Sequence, residues 1–209
     1  MDMKGSIAAI KDAITKSTAE RTSPEVISAA YAVVYLIGGV LLASARLLGA
    51  AGPFGMAAVA ASGAGLNGVA ALIGAAIGYI ISCGLAGSIR YLAAIVLVYT
   101  ISFAFQDTKL ASKSVFAPAT AAVSALSTGI LSSFTSVFTQ APAAAVVLIE
   151  TVFSFGGCWF FREAMSGRER TTESEELRYA GSVLITAAVL LMAVSQIEIF
   201  GAISLGRLV

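Results

Sequence analysis

Residues 52–82 read GPFGMAAVAASGAGLNGVAALIGAAIGYIIS, and the way this stretch sits decides the fold. Two apolar pieces, Met56 to Ser62 and Val69 to Ser82, are set off by Gly52-Pro53-Phe54-Gly55 and by Gly63-Ala64-Gly65-Leu66-Asn67-Gly68. Proline removes a backbone donor and glycine favours non-helical backbone, so both boundaries read as helix breaks. Hydrocarbon takes about 20 apolar residues to cross at 1.5 Å of rise each, and each piece falls short.

The flanking segments are longer. Val26 to Leu48 is an apolar run whose one charge, Arg46, lies near its end, where a long side chain reaches headgroups. Ser23-Pro24-Glu25 precedes it as a helix start: a capping hydroxyl, a proline at the first helical position and an acid in the first turn. Ile89–Phe105, Pro118–Phe138, Pro142–Phe161 and Leu177–Phe200 are four further candidate spans, and residues 162–178 form a polar loop of alternating sign. Of the 209 residues 58% are hydrophobic and 12% charged, with mean hydropathy +0.90. Soluble domains carry about 25% charged residues, and a water-soluble fold of this size could not hide so much apolar surface. The expected fold class is an all-α polytopic membrane bundle.

Lysine and arginine positions choose between two routes for residues 54–82. If the stretch crosses once, Lys4, Lys11, Lys16, Arg21, Arg90 and Arg207 share one side, and Arg46, Lys109, Lys113, Arg162, Arg168, Arg170 and Arg178 the other. If it dips in and returns, only Arg46, Arg90 and Arg207 are separated from the remaining ten. Positive residues gather in the cytoplasm, which favours the second route. The expectation is five full spans plus a re-entrant pair of half-helices, with residues 1–25 a cytoplasmic charged segment and 26–209 the membrane domain. Within the first segment Ile7, Ile10 and Ile14 recur at helical spacing, which fits either an amphipathic surface helix or a solvated tail. Its eight charges exclude a secretory signal, although Ala43-Ser44-Ala45 imitates a cleavage site. The turn at 63–68 must be buried or line a wet cavity, because unpaired amides cannot face lipid. Gly74 and Gly78, beside Ala71 and Ala75, form a small-residue face suited to close helix packing or self-association.

Glu150 is the outlier. It lies inside Ala143–Phe161, directly after Val146-Val147-Leu148-Ile149. An ionised side chain at a helix centre costs at least about 2.5–3.5 kcal/mol on insertion scales, so Glu150 should be protonated, paired or turned to a polar interior. Arg46, Asn67 and the backbone at the helix breaks are its candidate partners. Two readings follow: a clamp holding the broken helices, or a proton or cation site. No catalytic motif, phosphate loop, metal cluster or cofactor signature is present, and there is no histidine. A net charge of +1 supplies no field for nucleic acid, and no small-molecule substrate is evident. Cys83 and Cys158 read as small buried hydrophobes. The hydroxyls of helix 118–139 (Thr120, Ser124, Ser127, Thr128, Ser132, Ser133) read as bonding backbone, with a pore lining as the alternative.

The order of several motifs resembles the membrane region of stage II sporulation protein E. They are Ala45-Arg46-Leu47 followed by Pro53-Phe54-Gly55-Met56-Ala57, then Leu72-Ile73-Gly74-Ala75-Ala76-Ile77-Gly78-Tyr79 and Ile89-Arg90-Tyr91-Leu92-Ala93-Ala94. Leu148-Ile149-Glu150 ahead of Phe160-Phe161-Arg162-Glu163-Ala164 continues the series, and Ile199 to Arg207 is similar to the family's next helix junction. The resemblance covers residues 28–209 and implies a multi-pass membrane protein of endospore-forming bacteria. In that family the membrane region anchors a metal-dependent Ser/Thr phosphatase at the asymmetric septum, where it acts in sigma-factor activation. No position here matches a phosphatase residue, so the chain reads as a truncated product, a fragment or a stand-alone paralogue. The functional expectation is a non-catalytic anchoring and localisation module whose partners are the bilayer and copies of itself or other membrane and division proteins. The alternative is a small transporter or channel using Glu150.

Overall fold

The computed structural model describes residues 24–47, 50–134, 144–166, 172–196, 198–199 and 203–204. The predicted helix at residues 7–14, the span ends at Phe138 and Pro142, residues 167–171 of the polar loop, and most of Gly201–Val209 lie outside the described residues. The described chain is mostly helical: α1 is Pro24–Ser44, α2 Phe54–Ser62, α3 Leu66–Phe105, α4 Phe116–Phe134, α5 Ala144–Ala164 and α6 Glu173–Ser195. Two antiparallel hairpins add small ladders that the all-α expectation lacks: β1 Arg46–Leu47 with β2 Ala50–Ala51, and β3 Glu198–Ile199 with β4 Ile203–Ser204. The last predicted span therefore stops at Ser195 and not at Phe200. The alternation Ile197-Glu198-Ile199 ahead of Gly201 fits a hairpin better than a continuing helix.

Four helices, α1, α3, α5 and α6, are long and apolar enough to cross a membrane, and α4 is a shorter apolar helix. Their apolar side chains point outward: Ile81 is 71% exposed, Val152 69% and Leu184 71%. Facing water, each would forgo roughly 1.5–3 kcal/mol of burial free energy, a loss that hydrocarbon surroundings remove.

α3 is two antiparallel arms, 66–83 and 85–105, joined at Gly84. A continuous helix would hold the Cα atoms of Tyr79 and Tyr91 about 18 Å apart. Their rings instead stack with centroids 4.8 Å apart. Further from the turn, the Tyr99 hydroxyl donates to the Ala64 carbonyl at 3.2 Å across 35 positions of sequence. The reversal is made at Gly84, whose φ of 68° and ψ of 171° belong to a backbone region held almost only by glycine.

The first arm of α3 runs parallel to α1. A methyl group on Gly74 would collide with the Leu36 carbonyl, one on Gly78 with the Val40 carbonyl, and one on Gly39 would lie 2.6 Å from the Ala71 carbonyl. Both numberings rise together along this contact, and small residues on both helices permit it. That face is used inside the chain, which removes it as a surface for self-association.

Two neighbouring parallel helices need a return between them, and α2 supplies it. It packs against α1, α3, α4 and α5, and its residues from Phe54 to Ala60 are all buried. Seven buried residues in nine positions make it the centre of the bundle. The break before it, at Ala51 to Pro53, is buried as bilayer rules require, while the break after it, at Gly63–Gly65, is partly open. Gly63, at φ 75°, ends α2, and Gly65 is extended. The first arm already begins at Leu66, so Asn67 and Gly68 are helical and not part of the predicted break. It rises about 27 Å and is longer than the half-helix expected from Val69. Gly68 is needed there because any Cβ would run into the Gly63 carbonyl.

Two ends of the bundle follow from these directions. One, the hairpin end, carries β1–β2, the Gly84 turn, and Gln196, whose side-chain oxygen accepts from the Arg46 amide at 2.7 Å. The other, the loop end, carries the Gly63–Gly65 turn, the connection 106–115, and Arg162, which donates to the Ser114 carbonyl at 3.3 Å.

Candidate functional site

Glu150 lies six residues into α5 and Arg90 six residues past the Gly84 turn, so each is about 9 Å along its helix from the hairpin end. Because α5 and the second arm of α3 start from the same end, equal depth brings the two side chains together. They form a buried ion pair, with side-chain exposures of 10% for Arg90 and 4% for Glu150. Tyr91, next to Arg90, places its hydroxyl 2.9 Å from Glu150 Oε1 and 3.1 Å from the Ala51 carbonyl. Its single proton serves one of these acceptors at a time. The Arg90 guanidinium also lies 4.9 Å from the Tyr91 ring centroid, within cation–π range.

Tyr79 extends the cluster. Its hydroxyl donates to the Gly52 carbonyl at 3.1 Å and accepts from the Met56 amide at 3.3 Å. Residues 51, 52 and 56 flank the break at Pro53, where the chain leaves the hairpin and enters α2. Tyr79 and Tyr91 therefore reach the backbone groups that this interruption frees, and Glu150 and Arg90 hold Tyr91 in place. Tyr99 does the same at the other break, through Ala64.

No known protein family, curated protein or solved structure matches the chain.

The partners of Glu150 expected from the sequence, Arg46 and Asn67, are not the ones it has. Arg46 is exposed at the hairpin end, where Nη2 donates to the Ser82 carbonyl at 2.7 Å. Asn67 is half-buried at the start of the first arm, about 18 Å of helical rise from Tyr79. Neither contacts Glu150; Arg90, which reads in the sequence as a charge at the start of the Ile89–Phe105 span, does. Among the break and packing residues, Pro53 is fully buried, and Phe54 meets Phe153 edge-on at 6.1 Å. A Cβ on Gly55 would lie 2.8 Å from both Ala43 and Tyr79. Gly65 has open space where a Cβ would stand, so the conformational demand of the break falls on Gly63.

The tyrosines are what sequence reasoning missed. Their signal was available: three phenols facing an apolar interior each need a hydrogen-bond partner, and interrupted helices are the nearest source of spare carbonyls. Three of the hydroxyls of α4 bond its own backbone, Thr120 to Phe116 at 2.9 Å, Thr128 to Ser124 at 2.8 Å and Ser132 to Gly129 at 2.8 Å, whereas Ser124 Oγ is buried without a partner among the described residues. Cys83 and Cys158 are free thiols. Among the described residues no group of three or more histidine, cysteine or acidic side chains is placed to hold a metal ion.

Proposed function

We propose that this chain is a non-catalytic membrane anchoring and localisation module of the stage II sporulation protein E type, serving a Ser/Thr phosphatase at the asymmetric division septum. α1, the second arm of α3, α4, α5 and α6 are its five full spans. α2 and the first arm of α3 are the re-entrant pair, entering from the hairpin end and turning back at Gly63–Gly65. Lys109, Lys113, Arg162 and Arg178 lie toward the loop end and Arg46 at the hairpin end. By the positive-inside rule the loop end is cytoplasmic, and with it the amino terminus.

The observation that carries this reading is the commitment of Glu150. A transport site for a proton or cation needs an acid that can be vacated and refilled. Here a fixed guanidinium already occupies the cation's place, and the adjoining phenols hold the chain's own backbone. The polar interior supports a rigid anchor. Its work is to fix the spans and present the cytoplasmic connections 106–115 and 165–172, the latter shorter than the polar loop 162–178 expected from the sequence, to division proteins. The order of motifs from Ala45 to Arg207 supplies the sporulation assignment.

A fluorescent fusion expressed in a sporulating cell tests it. Enrichment at the asymmetric septum is expected, and an even distribution over the membrane would count against the proposal. Proton or cation flux in vesicles, lost in Glu150→Gln with folding intact, would shift the reading to transport.

A further inference from the structure

Two small cavities adjoin at the loop end, of about 230 and 190 Å³, and Arg162 lines both. The smaller one is shared by the connection before α4, the end of α5 and the start of α6, and is lined by Ser112, Ser114, Trp159, Arg162, Glu163 and Arg178 among others. Its charges do not cancel. Arg178 is paired with Glu163 through Nη2 at 3.1 Å and Nε at 3.2 Å. Arg162 has no acidic partner among the described residues; its one hydrogen bond is the long contact to Ser114. Two guanidinium groups against one carboxylate leave one positive charge in the lining of the cleft. Outside it, Lys109 and Lys113 are offset by Asp107 on the same connection and by Glu173, Glu175 and Glu176 at the start of α6, so the surplus is local to Arg162.

An outward apolar stripe leads into this cleft. Leu148, Val152, Phe155 and Trp159 follow one another at helical spacing on α5, with Leu148 60% and Val152 69% exposed. Phe155 and Trp159 stack at 6.5 Å. Continuing the same face one turn further reaches Arg162 and Glu163. From Val152 to Arg162 the helix rises about 15 Å, which is the hydrocarbon depth of one leaflet.

We propose that this cleft binds one anionic phospholipid, with the phosphodiester on Arg162 and an acyl chain along Leu148, Val152 and Phe155. A guanidinium can meet a phosphate through two parallel hydrogen bonds, and a single surplus positive charge matches the single negative charge of phosphatidylglycerol. Trp159, an amphipathic ring at the level where apolar and polar surroundings meet, belongs at that depth. The inference rests on the membrane placement proposed above, with the loop end at the headgroup level.

The test uses the full chain purified in a neutral detergent, titrated with phosphatidylglycerol, with phosphatidylcholine and with inorganic phosphate. Thermal unfolding and native mass spectrometry serve as readouts. Phosphatidylglycerol should raise the unfolding midpoint and appear as a single bound lipid, while phosphatidylcholine does so weakly and inorganic phosphate not at all. Arg162→Gln should weaken phosphatidylglycerol binding about tenfold, with Arg162→Lys falling between the two. Equal effects of both lipids, reproduction by inorganic phosphate alone, or unchanged binding in a helical, monodisperse Arg162→Gln protein would overturn the proposal. Failure of the parent reading looks different: a chain that remains monodisperse in plain buffer without detergent has no leaflet to offer, whatever its affinity for phosphate.

Discussion

The two breaks around α2 face the same physical problem and meet it with opposite materials. At the hairpin end the carbonyls of Ala51 and Gly52 are reached by Tyr91 and Tyr79, whose rings stack, and Tyr91 is fixed by the Arg90–Glu150 pair. At the loop end the turn at Gly63–Gly65 has Tyr99 on Ala64 and opens toward a cavity that Arg162 lines. The difference follows from depth. Polar groups about 9 Å along from a helix end have no water to turn to and must satisfy one another. Groups beside an open cavity at the end of the bundle can keep spare donors, because solvent reaches them. A sealed break is architecture; an open one is where a ligand can enter.

The largest way to break this comparison is to unseal the closed end. Arg90→Ala leaves an acid in an apolar interior without its counter-ion and should cost about 3–5 kcal/mol. Denaturant unfolding of the detergent-solubilised protein measures it, and a loss below about 1 kcal/mol would mean that the pair is incidental. Arg90→Met combined with Glu150→Gln removes both charges while keeping an acceptor for Tyr91. Much of the stability should return.

The turns come next. Gly63 and Gly84 both hold positive φ with extended ψ, at φ 75° and 68°. Gly84→Ala and Gly63→Ala should each cost about 1–3 kcal/mol, whereas Gly65→Ala, with an ordinary φ of −82° and open space around it, should be close to neutral. If Gly65→Ala proved the worst of the three, the placement of the break would be wrong.

Single hydroxyls sharpen the contrast further. Tyr91→Phe strips a donor from a buried site holding a carboxylate and a carbonyl, for about 1–3 kcal/mol. Tyr99→Phe removes a bond to one half-buried carbonyl and should cost about 1 kcal/mol or less. The ratio of the two, read from the same unfolding curves, compares the sealed break with the open one directly.

How far these features were legible in the sequence depends on the range of the interaction. Val26 to Leu48 and the other long apolar runs announce helices because the signal is local and repeated, although α1 ends at Ser44 and the last residues of that run, Arg46–Leu47, pair in the hairpin instead. Glu150 stands out against Val146–Ile149 for the same reason. Arg90 did not. One apolar piece ends at Ser82 and the next span starts at Ile89, so Arg90 reads as a charge at the headgroups beside a turn. The turn falls early, at Gly84, and sets Arg90 about 9 Å along its helix, at the depth of an acid 60 residues further on. Gly74 and Gly78 were legible as a packing face, but which helix they pack against was not. Self-association and contact with α1 make the same demand on sequence.

The smallest expected effect separates the open end from the closed one most cleanly. Arg162→Gln removes a charge, as Arg90→Ala does, yet it breaks only one long contact to an exposed carbonyl. In lipid-free detergent its cost should stay within about 0.5 kcal/mol, the range of surface substitutions. Two arginines on the same bundle would then differ several-fold in what their loss does to the fold. That asymmetry would locate the structural charge at Arg90 and leave Arg162 free to meet something outside the chain. Should Arg162→Gln prove as damaging as Arg90→Ala, the loop end would be sealed as well, and the cavities beside it would be packing defects.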